Sequence, residues 1–115
     1  ASVKAIDLRD DIIIDRYLRN DITKSICIAG LEPMDQFMEI LSFIDRLRHK
    51  YNCEDDVVIY TGYTEEEVKT YTKELSSYSN IIIKYGRFIP DQPKHFDKVL
   101  GVCLASPNQY AKRIS

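Results

Sequence analysis

The sequence predicts an α/β domain in which helices alternate with the strands of a parallel sheet. Short, apolar, β-branched runs alternate along the chain with longer segments whose apolar residues recur every three or four positions. Strands that are separated by helices of this length normally lie parallel and are joined by right-handed crossovers. The 115 residues have room for one such domain, covering residues 1–115, with one hydrophobic core.

Three helices are expected. The first covers 11–19, and the second covers 36–49, where the apolar residues fall on one clear stripe. The third opens at Thr64, because Thr64 and Glu67 have the spacing of a capping box.

Four strands are expected, at 25–29, 57–61, 80–85 and 99–105. They fit either a doubly wound sheet or an arc of a barrel. The arc is favoured because the chain opens on a helix, and in a (β/α) barrel a parallel strand would precede that helix. A sheet of four strands would also leave its first edge uncovered, which is a pairing liability.

Composition restricts the classes of partner and location. The net charge is −2 and no long Lys/Arg block occurs, so a nucleic-acid partner is not expected. No apolar run approaches the roughly 20 residues of a membrane span. Cys27, Cys53 and Cys103 form an odd, widely spaced set, which predicts neither a disulfide framework nor a metal site. We therefore expect no metal ligands in this chain and a reducing, cytoplasmic location.

Polar groups and glycines follow each apolar run, at 30–33, 60–63, 85–88 and 105–109. Ligands of parallel α/β proteins bind beyond the carboxyl ends of the strands, so these segments predict one functional rim. Neither a P-loop nor a well-placed histidine is present for phosphate binding or nucleophilic catalysis. Glu32, with hydroxyl and amide groups, suits a small zwitterionic ligand. Each segment alone also fits ordinary turn and capping roles.

The four rim segments resemble, in order, the motifs of one family. Residues 30–33 (GLEP) resemble the Gly-Gly-Glu-Pro motif of radical-SAM enzymes, and 58–63 (VIYTGY) resemble a strand of anaerobic ribonucleotide-reductase activating proteins. Residues 85–88 (YGRF) resemble that family's Asp-Gly-x-Phe segment, and 105–109 (ASPNQ) its Ser-x-Asn-Gln close. The matches run from about residue 11 to the end, which corresponds to the latter two-thirds of such a protein.

This resemblance implies an arc of a radical-SAM partial (β/α) barrel. In that family a [4Fe–4S] cluster and S-adenosylmethionine generate a 5′-deoxyadenosyl radical, which abstracts hydrogen from a glycine of anaerobic ribonucleotide reductase or another glycyl-radical enzyme. Glu32 with Gly30 and the Leu31 backbone would hold the amino group of S-adenosylmethionine. Thr61 and Tyr63 would line the floor of the site. The residues expected to bind this cofactor are Gly30, Leu31, Glu32, Pro33, Thr61, Gly62, Tyr63, Asn108 and Gln109.

The departures from the family shape the functional hypotheses. The family's C-x-x-x-C-x-x-C cluster loop is absent from this sequence, so we expect the chain alone to be cluster-free and inactive, with no catalytic residue of its own. Leu31 replaces a glycine and Tyr85 replaces an aspartate. The main hypothesis is an incomplete activase. The alternative is a cluster-free ligand-binding or partner-docking module, and a third is a flavodoxin-like receiver, although the rim carries only Glu32 as an acidic group.

Overall fold

A four-stranded sheet with helices packed against one face forms the centre of the structure, a computed structural model. It describes the backbone of residues 3–19, 25–30 and 32–115, and the side chains from residue 10 onward within those ranges. The helices are α1 (Val3–Leu18), a 3₁₀ helix (Pro33–Gln36), α2 (Phe37–Asp45), a π-helical turn (Arg46–Lys50) and α3 (Lys69–Leu75). The strands are β1 (Ser25–Ile28), β2 (Asp56–Tyr60), β3 (Ile81–Tyr85), β4 (His95–Asp97), β5 (Val102–Leu104) and β6 (Tyr110–Arg113).

The central sheet is mixed, with the strand order β1-β2-β3-β6. β1, β2 and β3 are parallel, with Cys27 opposite Val58 and Val58 opposite Ile82. β6 lies antiparallel to β3, with Lys84 opposite Ala111. β4 and β5 form a separate antiparallel pair. The carboxyl ends of the three parallel strands therefore lie at one end of the sheet, and the antiparallel β6 begins at that same end.

The predicted fourth strand requires a correction. Within 99–105 only Val102–Leu104 forms a strand, and it pairs with β4 rather than with β3. The fourth strand of the central sheet is β6, which the sequence reading did not identify. Only Ala111 of β6 is buried, because this strand lies at the edge of the sheet. A search for apolar runs therefore misses it.

The helices match the sequence patterns with shifted boundaries. α1 begins at Val3, earlier than the predicted 11–19. Asp11 therefore lies in the middle of the helix rather than at its start. There its carboxylate accepts hydrogen bonds from Lys50 and Tyr51. The amphipathic second helix is confirmed as α2 and the π-helical turn that continues it. The predicted reciprocal bonds of Thr64 and Glu67 form: the Thr64 N–H donates to Glu67 Oε1 at 2.9 Å, and the Glu67 N–H donates to Thr64 Oγ1 at 3.3 Å. The predicted helix start at Thr64 is wrong, however, because these bonds close a turn over 65–68 and α3 begins only at Lys69, with Val68 at its N-cap.

The main core lies between the helices and one face of the sheet. Ile59 and Ile83 from the sheet meet Ile44 from α2 and Leu75 from α3, and all four are fully buried. The opposite face carries a smaller cluster of Val58, Ile82 and Ala111, against which Leu100 packs. Within the described part of the chain, no helix has the length and apolar character required to cross a bilayer.

Candidate functional site

The carboxyl ends of the parallel strands surround a recess of about 300 Å³, which we call the rim recess. The turn after β1 supplies one wall and the turn after β2 supplies the floor. The end of β3 and the residues before β6 supply the far side. The lining residues are Ala29, Gly30, Glu32, Pro33, Tyr60, Thr61, Gly62, Lys84, Gly86, Phe88 and Gln109.

Glu32 is fixed in place by donors from two different turns. Its side chain caps the 3₁₀ helix, with Oε2 accepting from the Met34 N–H at 3.0 Å. The same oxygen accepts from the Thr61 hydroxyl at 2.8 Å, and Oε1 accepts from the Gly62 N–H at 2.7 Å. A carboxylate has about four lone-pair sites, so these three bonds leave room for about one further donor. The arrangement orients the carboxylate before any ligand arrives.

Thr61 connects this carboxylate to the rest of the β2 turn. Its side chain is buried, and its hydroxyl also accepts from the Tyr63 N–H at 3.1 Å. The Tyr63 hydroxyl donates to Asp35 at 2.8 Å, and this bond to a carboxylate raises the pKa of Tyr63. A Cβ at Gly62 would lie 3.3 Å from Glu32 Oε1, so a glycine lets the backbone approach the carboxylate closely.

The far side of the recess is held by side-chain amides. The Gln109 amide oxygen accepts from the Ala105 N–H at 3.1 Å, and its Nε2 donates to the Gly86 carbonyl at 3.4 Å. Asn108 Nδ2 donates to the Arg87 carbonyl at 2.8 Å. These bonds join the segment before β6 to the turn after β3, which is why Gln109 reaches the recess.

The structure brings most of the predicted site residues together. Six of them line the rim recess: Gly30, Glu32, Pro33, Thr61, Gly62 and Gln109. Asn108 lines a neighbouring groove, and Tyr63 lies in a shallower one beside Asp35. Leu31 lies outside the residues that the structure describes.

Five lining residues are absent from the predicted set, and for two of them, Tyr60 and Lys84, the sequence contains a signal. Tyr60 directly precedes Thr61 at the end of β2 and lines the recess. Lys84 interrupts an otherwise apolar buried strand, and such a charge requires a partner or a function. Alternation along β3 puts Lys84 on the same face as Ile82, away from the helices.

The cysteines that the structure describes do not fit an iron–sulfur cluster. Cys27 lies on β1, Cys103 lies on β5 and both are exposed, whereas Cys53 is buried in the main core. Cluster thiolates must converge on one centre, which these separate segments do not achieve. Over the described ranges, no group of three or more His, Cys, Asp and Glu side chains is placed to hold a metal ion.

Comparison with protein families gives one match, which covers most of the chain. Residues 4–106 match the model of a family described as a 4Fe-4S single cluster domain. The chain belongs to this family. The family implies a 4Fe-4S cluster, whereas the residues described here do not supply ligands for one. Neither the curated proteins nor the solved structures that were compared gave a match.

Proposed function

We propose that the chain is the S-adenosylmethionine-binding part of a radical-SAM enzyme, in which the rim recess holds the amino-acid end of that cofactor. The observation that carries this proposal is the Glu32 carboxylate, fixed by the Met34, Thr61 and Gly62 donors with one acceptor position left. A substrate ammonium is a strong donor for such a position. Family membership supports the same class of chemistry, since it links the chain to 4Fe-4S proteins.

The groove beside the recess suits the nucleoside end of the same cofactor. It measures about 410 Å³ and shares Gly62, Gly86 and Phe88 with the recess, so the two spaces adjoin. Phe88, Ile89 and Tyr110 give it an apolar lining. A flat base attached to a polar sugar is a ligand that such a groove can take.

The fold and partner follow from the same proposal. We infer that β1–β3 with their helices are an arc of a partial (β/α) barrel. Supporting this, the three strands are parallel, and among the described strands β1 pairs only with β2. The partner is an anaerobic ribonucleotide reductase or another glycyl-radical enzyme, on which the complete system would generate the glycyl radical.

The described residues do not fit the cluster of this family. In the radical-SAM family the cluster supplies the electron and S-adenosylmethionine the hydrogen-abstracting group. This chain's own residues bind and orient the cofactor. Glu32 accepts a hydrogen bond from its ammonium group, and Gln109 holds the far wall of the recess in place. We expect the isolated chain to bind S-adenosylmethionine without cleaving it.

Isothermal titration calorimetry of S-adenosylmethionine with the full chain tests the proposal. Glu32→Gln removes the negative charge while keeping one oxygen, and we expect binding to weaken by at least about tenfold, as for loss of a charged hydrogen bond. Glu66→Gln is the matched control, because Glu66 is exposed and lies outside the recess. Thermal unfolding checks that both variants are folded. Unchanged binding by Glu32→Gln, or no binding by the wild type, would contradict the proposal, and the second result would favour the docking module.

A further inference from the structure

Lys84 is a buried cation with little hydrogen bonding. Its side chain is 8% exposed, and every residue of its strand is buried. Its Nζ donates to the Gly86 carbonyl at a long 3.4 Å and lies 5.2 Å from the centroid of the Tyr60 ring. An ammonium group has three donors. No other acceptor among the described residues lies within hydrogen-bond distance, so Lys84 has capacity for an anionic group.

The rim recess places this cation and the Glu32 carboxylate on different walls. Both side chains line the recess, yet they form no direct ion pair within 4.0 Å in the described structure. The carboxylate nevertheless acts on the lysine: burial lowers the pKa of Lys84, and the charge of Glu32 partly offsets this effect. The two charges therefore interact across the recess that both of them line, without forming a direct ion pair.

The neighbouring cation, Arg87, does not serve the recess. Its guanidinium approaches Glu67 at 3.5 Å and lies 5.7 Å from the centroid of the Tyr63 ring. Its side chain is 62% exposed and does not line the recess. Lys84 is therefore the cation that faces a bound molecule there.

We propose that Lys84 binds the carboxylate of the ligand, opposite the ammonium that Glu32 accepts. The inference rests on the proposed function, because it assigns the second charge of the same amino-acid end. Recognition at both walls selects α-amino-acid ligands over simple amines. An amine without a carboxylate would leave the buried Lys84 ammonium without an acceptor from the ligand. The cost of such an unpaired buried charge gives the selectivity.

A comparison of two ligands isolates the contact. Calorimetry with the full chain measures the affinity for S-adenosylmethionine and for its decarboxylated analogue. We expect the wild type to prefer the carboxylate-bearing ligand by at least about tenfold. Lys84→Met keeps the length of the side chain and removes the charge, so it should bind both ligands about equally. Lys73→Met, on the exposed face of α3, should keep the wild-type preference.

A second readout separates this inference from the proposed function. Calorimetry of the wild type and of Lys84→Met with single L-amino acids reports whether Lys84 recognises a carboxylate without the adenosyl group, with the corresponding carboxylate-free amines as controls. If S-adenosylmethionine does not bind but an L-amino acid binds to the wild type and not to Lys84→Met, the proposed function is wrong and the inference stands. Equal affinity of the wild type for the two adenosyl ligands overturns the inference alone. Binding of nothing overturns both, and Lys84→Gln replaces Lys84→Met if the latter does not fold.

Discussion

Gly86 is the position at which one added methyl group should damage the rim most. It has φ of +105°, and a Cβ there would lie 2.8 Å from the backbone oxygen of Asn108. The conformation alone costs a side chain about 1–3 kcal/mol. The contact adds about 1–3 kcal/mol for overpacking, since a backbone atom cannot rotate away. We therefore expect Gly86→Ala to lower the free energy of unfolding by about 2–6 kcal/mol.

Gly101→Ala is the matched control for this substitution. Gly101 also has a positive φ, +71°, but nothing lies within 4 Å of the position of its Cβ. Its replacement should cost only the conformational part, about 1–3 kcal/mol. The difference between the two variants therefore measures the contact with Asn108.

Urea unfolding followed by circular dichroism measures both variants, and an unchanged m-value shows that stability rather than compactness is compared. The Gly86 carbonyl also accepts from Gln109 Nε2, so displacing this turn should move the far wall of the recess. We accordingly expect Gly86→Ala, but not Gly101→Ala, to weaken S-adenosylmethionine binding. Equal destabilisation by the two substitutions would refute the reasoning, because it would mean that the turn and Asn108 separate freely.

Two further predictions concern stability. Thr64→Ala removes the hydroxyl that accepts from Glu67 in the turn before α3 and should cost about 0.5–1.5 kcal/mol in urea unfolding. Thr70→Ala, at an exposed position of α3, should cost nothing, and equal effects of the two substitutions would contradict a stabilising role for this turn. Burial raises the pKa of Tyr85 to about 12, so its neutral form favours folding below about pH 10 and this stability is lost as pH rises through about 12. Tyr85→Phe should reduce the alkaline loss of stability measured by unfolding between these pH values, and an unchanged loss would contradict this.

The parallel core of the fold was predictable because it depends on local patterns. The runs that become β2 and β3 are largely apolar and buried on both faces, as strands covered by other elements must be, whereas β1 is half-buried on one face and exposes Ser25 and Cys27 on the other. β6 was not predictable in this way. It has exposed polar residues on an edge, and its pairing with β3 is a tertiary contact that no local pattern encodes.

The candidate site illustrates the same division. Glu32 and Thr61 were expected to approach each other because both follow parallel strands, and the structure places them 2.8 Å apart. Asn108 and Gln109 were expected at this rim because they would follow a parallel strand at 99–105. They reach the rim for another reason: they precede an antiparallel strand, whose first residue lies beside the last residue of β3. A segment that precedes an antiparallel strand lies at the same end of the sheet as a segment that follows a parallel strand. The predicted position of Asn108 and Gln109 is therefore the observed one, although the predicted strand is not.

This antiparallel closure bears on how the recess can discriminate between ligands. Glu32 is fixed by donors from its own turn and from the β2 turn. Lys84 lies on β3 and donates to the Gly86 carbonyl in the turn after β3, and the same carbonyl accepts from Gln109 before β6. Lys84 thus stands on β3, and the Glu32 carboxylate is bonded to the turn after β2, so the hydrogen bonds between β2 and β3 help to set the separation of the two charges. A ligand that contacts both charges must therefore match a nearly fixed separation. Little ordering of the protein side chains is required when such a ligand binds. We therefore expect the proposed selectivity for a zwitterion to depend on this arrangement, and Gly86, whose carbonyl accepts from both Lys84 and Gln109, to affect binding.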